Sequence, residues 1–484
     1  MLTHTKIKYA RFAPDQSDDN PAFSDAIMNV EPALDGWKPL KGFDVIGSGL
    51  GAQCLGAVTV FLPSGGTDIY AGTSSKLLKY NSGTASWDTL NTGFSVPSGY
   101  FWSFKQFGKY LVAVNGSDTN QYIDLTVASA FADLTGSPKA RYVNSSGDFL
   151  VLLALVSNPN QLAWSGINNI FQWTYRENLS DYQPIPDGGA ITGFVGYDTG
   201  GVVFLERHME IMERNDRASV FSFRTVQENL GAFSPQSIVP FRNSFAWYDQ
   251  SGFYMGPEGE PIGAEMVNDF VMNSADTEDL ALMSGIYDQT SKIVWWLFTT
   301  SEGTYLRVGY DTVLKQWTQS NAQVNFQLLA VTPGYTYDSV SALDMTYDEA
   351  NYTYDSSFWQ GSSAVSLAGF NDDGDFGYFQ TGSLEAVLET VDVEFNPGAA
   401  AFMGELRLRI DAPISDVTYK VGKKRFLGDT TVWTGNLTAH ERSGKAKPRA
   451  NANRHRVRST IAANSLWNNA GYADAWMRAS GALA

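Results

Sequence analysis

One phrase of sequence occurs twice in this chain, and its spacing limits the folds that the chain can adopt. Residues 77–87 read Leu-Leu-Lys-Tyr-Asn-Ser-Gly-Thr-Ala-Ser-Trp, and residues 307–317 read Arg-Val-Gly-Tyr-Asp-Thr-Val-Leu-Lys-Gln-Trp. In both copies a strand-like stretch ends in Tyr followed by Asn or Asp, and a Trp follows seven residues after the Tyr. Because an Asn or Asp side chain can cap a tight turn, each copy predicts a β-hairpin.

The distance between the copies predicts a repeated architecture. They start 230 residues apart, which is five periods of about 46, and blades of β-propellers repeat every ~40–50 residues. We therefore expect an all-β fold with a β-propeller over 46–382, in which seven blades are favoured and six are the alternative. The matched residues that we expect to shape the repeat are Tyr80 and Tyr310, Asn81 and Asp311, and Trp87 and Trp317.

The composition agrees with many short strands joined by tight turns. Of the 484 residues, 13% are aromatic and 45 are glycine. Aromatic side chains favour strands, and glycine supplies the backbone conformations that tight turns require. One short helix is predicted over 264–272, where Met266, Phe270 and Val271 can share a face.

A second region begins near residue 383. Residues 405–411 alternate strictly, with Leu406, Leu408 and Ile410 between charged neighbours, which predicts a strand with one face on a core. We expect residues 383–484 to form an additional C-terminal β domain. Residues 1–45 are expected to be an N-terminal extension that partly closes the propeller.

Charge is divided unequally between these regions. The chain carries −17 overall; residues 1–382 contain 20 Lys and Arg against 41 Asp and Glu, and residues 383–484 contain 14 against 10. The net charges are therefore −21 and +4. A protein that binds nucleic acid over its whole surface needs the opposite balance.

The C-terminal region contains a basic segment with no acidic residue between 442 and 458. One interpretation is contact with the phosphates of DNA or of another polyanion. The other, which we favour, is ion pairing with an acidic neighbour in the same protein or in another subunit. On that hypothesis, reversing the charges of Arg454, Arg456 and Arg458 impairs assembly rather than folding. The candidate contact residues are Arg442, Lys445, Lys447, Arg449, Arg454, Arg456 and Arg458.

The sequence predicts a protein made and folded in a cytoplasm. Cys54 is the single cysteine, so an intramolecular disulfide is excluded. The N-terminus lacks the apolar core of a secretory signal. The longest apolar run, 149–156, is far shorter than the ~20 residues that cross a bilayer, so no membrane insertion is expected.

No catalytic residue, metal ligand or cofactor site is predicted. The four histidines have no zinc-ligand spacing, and the acidic stretch 371–375 lacks the pattern of a calcium loop. Neither a phosphate-binding loop nor a Gly-x-Ser-x-Gly elbow occurs. We therefore expect a protein that is not an enzyme and holds no cofactor.

Several phrases together carry a family resemblance. They are 101–114, 162–173, 188–194, 202–211, 229–238, Ser251-Gly-Phe-Tyr254, Pro261-Ile-Gly263, Leu388-Glu-Thr390, Ser443-Gly-Lys445 and Arg454-His-Arg-Val-Arg458. In order and spacing, from about residue 100 to the C-terminus, the chain resembles the tail hub, nozzle or stabilisation proteins of short-tailed double-stranded-DNA bacteriophages.

The resemblance implies a β-propeller with additional β domains and six copies in a ring below the portal and adaptor proteins. Such a ring continues the channel for viral double-stranded DNA and anchors fibres, spikes or a tail needle. The implied location is the virion tail, assembled in the host cytoplasm. The family has no catalytic motif to transfer.

Two other functions remain as alternatives. The first is a carbohydrate-binding or glycan-cleaving propeller of a phage receptor-binding component. A sialidase-like site of this kind needs an arginine cluster, but Arg207, Arg214, Arg217 and Arg224 lie in one segment rather than on separate blades. The second alternative is a kelch-like cytoplasmic adaptor, against which the extra C-terminal β domain counts.

Overall fold

The computed structural model describes residues 2–16, 20, 22–215, 220–331, 365–426 and 428–481. Regular structure in these residues is almost entirely β, with one α-helix, α1 (Asn268–Ser274), and short 3-10 turns. Helix α1 begins later than the predicted 264, because Glu265 has a φ of 58°, outside the helical region. No helix in the described part of the chain is long and apolar enough to span a membrane.

Six short strands precede the propeller. They are β1 (Thr3–Lys8), β2 (Arg11–Phe12), β3 (Phe23–Ser24), β4 (Val30–Ala33), β5 (Gly36–Pro39) and β6 (Lys41–Val45).

Seven antiparallel sheets of the described residues then form the blades of a propeller. Blades 1 to 4 contain β7 (Gly56–Phe61), β8 (Thr67–Gly72), β9 (Lys76–Asn81), β10 (Ser86–Thr92), β11 (Ser103–Phe107), β12 (Tyr110–Val114), β13 (Gln121–Asp124), β14 (Ala132–Asp133), β15 (Ala140–Ser146), β16 (Phe149–Leu155), β17 (Asn158–Trp164), β18 (Asp181–Pro184), β19 (Ile191–Tyr197), β20 (Gly200–Leu205), β21 (His208–Arg214) and β22 (Phe221–Glu228). Blades 5 to 7 contain β23 (Val239–Phe241), β24 (Ser244–Asp249), β25 (Gly252–Met255), β26 (Glu260–Pro261), β27 (Ser284–Asp288), β28 (Ile293–Thr299), β29 (Tyr305–Asp311), β30 (Gln316–Ala322), β31 (Phe326–Val331), β32 (Val365–Phe370) and β33 (Phe376–Ser383).

The ring closes with strands from the two ends of the propeller sequence. β6 pairs with β33 as the outermost strand of blade 7, for which the described residues otherwise provide three strands. On the inner side, the hydroxyl of Thr59 in blade 1 donates to the carbonyl of Leu329 in blade 7 over 2.7 Å. The predicted all-β, seven-bladed propeller is therefore confirmed.

Both copies of the repeated phrase form the hairpin between the third and fourth strands of a blade. Trp87 pairs with Tyr80 in blade 1, and Trp317 pairs with Tyr310 in blade 6. Blades 1 and 6 are five apart, as the 230-residue spacing requires. In each turn a side chain accepts backbone N–H groups: Asn81 from Gly83, and Asp311 from Val313 and Leu314.

Close packing between blades requires small residues at defined positions. The indole of Trp102 lies between blades 1 and 2 and donates to the carbonyl of Thr73 over 2.9 Å. A Cβ atom on Gly72 would lie 2.2 Å from that indole ring. This glycine therefore gives Trp102 the space that it fills between the two sheets.

The C-terminal residues form two more sheets, and this confirms the additional C-terminal β domain. The strands are β34 (Ala386–Glu389), β35 (Val393–Glu394), β36 (Ala400–Ile410), β37 (Val417–Lys424), β38 (Val432–Trp433), β39 (Ala450–Ala452), β40 (Arg454–Ile461) and β41 (Ala470–Gly481). A six-stranded sheet joins β36, β39 and β41 to the N-terminal strands β1, β4 and β5. A five-stranded sheet joins β34, β35, β37, β38 and β40.

The N-terminal 45 residues thus belong to both parts of the molecule. β2 extends blade 6 through pairing of Phe12 with Trp317, and β1 pairs with β41 along its whole length. One continuous hydrophobic core contains Trp296 of the propeller together with Val457 and Met477 of the C-terminal sheets. The two parts are therefore packed against each other through a shared core.

The hairpin tryptophan of blade 6 offers a test of this shared core. Trp317 is buried, contacts the rings of Phe253, Trp296 and Tyr310, and donates to the Ile262 carbonyl over 2.9 Å. We expect Trp317→Ala to lower the free energy of unfolding by about 3–5 kcal/mol. Urea unfolding followed by intrinsic fluorescence measures this change.

The matched control lies in the same hairpin. Val313 is 54% exposed, so Val313→Ala is expected to change the free energy of unfolding by less than about 0.5 kcal/mol. Equal effects of the two substitutions would contradict the assignment of Trp317 to the core.

Candidate functional site

The seven basic residues of 442–458 lie on two different sheets. Arg454, Arg456 and Arg458 are in β40, the central strand of the five-stranded sheet. The other four precede β39 at the edge of the six-stranded sheet, where Ala446 bridges to Leu406 of β36. The segment that is continuous in sequence therefore has two separate environments.

The β40 arginines are held by carboxylates of the same chain. Oε1 of Glu389 accepts a hydrogen bond from Arg458 Nε over 2.7 Å, and Oε2 accepts from Arg456 Nη1 over 3.3 Å. Ser24 also donates to Oε2, over 2.7 Å. Glu389 is fully buried, and a buried charge must be paired to be tolerated.

A second pair continues this network along the strand, because Arg454 Nη2 lies 3.2 Å from Glu394 Oε2. Reversing Arg456 or Arg458 would place a second carboxylate against the buried Glu389. We therefore expect reversal of these arginines to impair folding, whereas the sequence alone predicted impaired assembly.

The outer face of the six-stranded sheet, in contrast to the buried pairs of β40, presents a set of charged and aromatic side chains. Residues directly paired across antiparallel strands lie on the same face, so the register of β36, β41 and β1 builds three rows. The rows are Glu405, Trp476 and His4; Arg407, Asp474 and Lys6; and Arg409, Tyr472 and Lys8. Leu406, between the outward residues of β36, is buried on the other face.

Asp474 organises the centre of this face. Arg409 Nε donates to its Oδ2 over 2.6 Å, and His4 Nε2 lies 2.7 Å from its Oδ1. Burial alone would raise the pKa of Asp474, but these hydrogen bonds outweigh burial and hold it below the usual range. Asp474 is thus an anion that fixes cations around it.

Aromatic rings on the same face carry further cations. Lys445 Nζ lies 3.8 Å from the ring centre of Trp476 and 2.7 Å from Glu405 Oε2. Lys6 Nζ lies 4.8 Å from the ring centre of Tyr472. Cation–π contacts of this kind keep the ammonium groups at the surface in defined positions.

Three of the segment's cations remain available to a partner. Arg442, Lys447 and Arg449 are exposed, and no ion pair is recorded for them among the described residues. Arg442 and Lys447 line a concave region of about 870 Å³ with Lys445 and Glu405. We call the whole surface the basic face; its cations are Lys6, Lys8, Arg407, Arg409, Arg442, Lys445, Lys447, Arg449 and Arg478.

Sequence reasoning identified four of these nine cations. It missed those of β1, β36 and β41 because register between distant strands is not visible in sequence. The alternation of Arg407 and Arg409 with apolar residues was a signal for one exposed face, and His4, Lys6 and Lys8 show the same alternation. Only strand pairing brings the two sets together.

The residues considered for enzymatic alternatives do not converge. Arg214 and Arg224 lie on the outer strands of blade 4 and pair with Asp148 and Glu213 at 3.5 and 3.7 Å; Arg217 lies outside the described residues. The acidic stretch 371–375 is a hairpin turn. Among the described residues no group of three or more His, Cys, Asp or Glu could hold a metal ion.

The axis of the propeller contains a central cavity of about 790 Å³. Its walls are the innermost strands of blades 1, 5, 6 and 7.

Comparisons with known proteins give fold-level similarity only. No family model and no curated protein sequence matches this chain. A solved structure of YCF48 bound to D1 peptide has 11% identity and a TM-score of 0.33, covering 60% of this chain and 86% of its own. A puromycin hydrolase has 12% identity and a TM-score of 0.34, covering 67% and 59%.

A mitotic checkpoint complex is similar at the same level, with 10% identity and a TM-score of 0.36 over 60% of this chain and 86% of its own. At these identities and TM-scores nothing about activity, substrate or partners follows for this chain. The functional argument therefore depends on the surfaces described above.

The two kinds of ion pair in the C-terminal domain make a matched comparison. Glu389→Gln removes the buried charge that compensates Arg456 and Arg458. We expect this substitution to lower the free energy of unfolding by roughly 3 kcal/mol. Glu405→Gln breaks a pair whose side chains are 30% and 32% exposed, and we expect a change below about 1 kcal/mol.

Chemical unfolding of both variants measures the difference. Similar losses for the two substitutions would mean that Glu389 is not the organising charge of the domain.

Proposed function

We propose that this chain is a structural subunit of the tail of a short-tailed double-stranded-DNA bacteriophage, in which copies form the hub or nozzle ring. The observation that carries the proposal is the unequal distribution of charge between the two parts of the molecule. An acidic propeller is packed through a shared core against a domain that presents the basic face. Complementary surfaces on one subunit are what a head-to-tail ring requires.

The arrangement of the basic face supports contact with protein. Its central cations are already positioned by Asp474, Glu405 and two aromatic rings, so little side-chain ordering remains for binding. The exposed Arg442, Lys447 and Arg449 can then pair with carboxylates of the next propeller. Residues 1–382 carry a net charge of −21, which supplies many such carboxylates.

The resemblance to tail hub proteins in the order and spacing of short phrases is a second, independent support. On this proposal the ring lies below the portal and adaptor proteins and anchors fibres, spikes or a needle. Viral DNA passes through the lumen of the ring. An acidic lining would repel phosphates and let the duplex slide, whereas a basic lining would retain it.

The state of assembly tests the proposal. Mass photometry and electron microscopy of the purified full chain, alone and mixed with the portal and adaptor proteins of its source, are expected to show a six-fold ring. A chain that stays monomeric in every mixture and binds glycans in an array would favour the alternative of a receptor-binding propeller.

Charge reversal on the basic face tests the proposed contact. We expect Arg442→Glu, Lys447→Glu and Arg449→Glu together to reduce the ring fraction at least about tenfold, since loss of about 1.4 kcal/mol gives that factor. The melting temperature is expected to stay unchanged, because all three side chains are exposed.

The matched control reverses three exposed lysines of the propeller, Lys76, Lys139 and Lys315. Rings are expected to form normally in this control. If the basic-face variant also forms normal rings but no longer binds DNA in low salt, the face contacts phosphate rather than the neighbouring subunit.

A further inference from the structure

The first hairpin of blade 7 differs from that of every other blade. Between their first and second strands, blades 1 to 6 have connections of two to five residues: 62–66, 108–109, 147–148, 198–199, 242–243 and 289–292. In blade 7, the 33 residues 332–364 separate β31 from β32. Val331 pairs directly with Val365, so the sheet does not need this length to make its turn. Connections of more than about 15 residues in a compact domain usually have a function.

This segment, which we call the blade 7 insertion, lies outside the described residues but has a one-sided composition. It contains five carboxylates and no Lys or Arg: Asp338, Asp344, Asp348, Glu349 and Asp355. Seven of its residues are aromatic: Tyr335, Tyr337, Tyr347, Tyr352, Tyr354, Phe358 and Trp359. A segment that is both acidic and aromatic is complementary to a surface that combines cations with accessible rings.

The basic face has both of these properties. Its nine cations outnumber the carboxylates of the same strands and of the adjoining segment, which are Glu405, Asp411, Glu441 and Asp474. Glu405 and Asp474 are already paired with Lys445 and Arg409. The rings of Tyr472 and Trp476 are half-buried and lie among the cations. The face therefore keeps an excess of positive charge beside accessible ring surface.

The length of the blade 7 insertion is sufficient to reach a second copy. A chain of 33 residues that leaves and returns at neighbouring positions extends at most roughly 55 Å. The longest strand of the basic face, β41, has 12 residues and therefore spans about 40 Å. The insertion can thus cross from one subunit to the next and still contact several cations of the face.

We infer that the blade 7 insertion of one copy docks on the basic face of the next copy. Its carboxylates pair with the exposed Arg442, Lys447 and Arg449, and its aromatic rings pack beside Tyr472 and Trp476. The inference rests on the proposed ring and names the contact that joins neighbouring subunits. Contact within a single copy would instead neutralise the face without joining two subunits.

Neutralising the insertion tests the contact without changing the length of the chain. We expect Asp338→Asn, Asp344→Asn, Asp348→Asn, Glu349→Gln and Asp355→Asn together to reduce the ring fraction at least about tenfold, the factor that about 1.4 kcal/mol gives. Mass photometry measures this under conditions in which the native chain forms rings.

The matched control removes five exposed carboxylates from other surfaces of the propeller, so that the net charge changes equally. The substitutions are Asp198→Asn, Glu258→Gln, Glu278→Gln, Glu302→Gln and Asp373→Asn, and rings are expected to form normally. Normal rings from the insertion variant, or equal losses from both variants, would overturn the inference while leaving the proposed ring in place.

A mixing experiment distinguishes contact between copies from contact within one copy. Replacing residues 332–364 by Asn-Gly, a two-residue hairpin turn, gives a chain with the basic face and without the insertion. The chain with Arg442→Glu, Lys447→Glu and Arg449→Glu keeps the insertion and loses the face. We expect neither chain alone to form rings and an equimolar mixture to form dimers, because one face and one insertion remain available. Sedimentation velocity measures the dimers, and their absence from the mixture would contradict a contact between copies.

A peptide of residues 332–364 separates this inference from the proposed function. We expect it to bind the chain without the insertion with a Kd near or below about 0.1 mM in low salt. Binding is expected to be at least tenfold weaker when that chain also carries Arg442→Glu, Lys447→Glu and Arg449→Glu. If the deletion prevents folding, the neutralised variant takes its place in both experiments.

The outcomes differ for the two proposals. Failure of the peptide to bind, or equal binding to both chains, would overturn the inference even if the native chain forms rings. Specific binding of the peptide by a chain that forms no ring in any mixture would contradict the proposed function, although the insertion and the basic face bind each other.

Discussion

Pairing of the first 45 residues with three separate sheets is the constraint on which the rest of the structure depends. β6 supplies the outer strand of blade 7, β2 extends blade 6, and β1 pairs with β41 in the C-terminal sheet. A propeller without such closure would leave the exposed strand edge of an incomplete last blade. Because the same segment also enters the C-terminal sheet, ring closure and domain docking are coupled.

Docking in turn determines where charge can be placed. The hydrophobic core is continuous from Trp296 to Met477, and Val457 and Ile461 of β40 face it. The three arginines of β40 alternate onto the opposite face of the strand, where Glu389 and Glu394 pair with them. The cations of the six-stranded sheet face outward. The separation of an acidic body from the basic face is therefore a consequence of which strands pair, and not of sequence composition alone.

The junction of blades 6 and 7 is packed differently from the junction of blades 1 and 2. Blades meet at junctions that are filled by aromatic side chains, as Trp102 fills the junction of blades 1 and 2. At the junction of blades 6 and 7, an arginine lies between Trp295 and Phe379 with donors that no protein acceptor satisfies.

The blade repeat is encoded in local sequence patterns. The Tyr-Asn/Asp…Trp phrase encodes a local hairpin, with an Asx-type cap and a cross-strand ring pair, and its five-period spacing fixed both copies on equivalent positions of blades 1 and 6. Alternation likewise assigned Leu406 to a core, because strand periodicity is a local property. The predicted helix failed at its start because the left-handed backbone of Glu265 is not marked by residue type.

Pairing between distant strands sets which cations share a surface and which are buried. Arg442 and Arg456 are close in sequence and alike in chemistry, yet one is exposed at the edge of one sheet and the other pairs with Glu389 in another sheet. Arg307 looked like any other residue of the repeated phrase, although it lies buried between Trp295 and Phe379. These environments are made by contacts between residues tens to hundreds of positions apart, which local patterns do not encode.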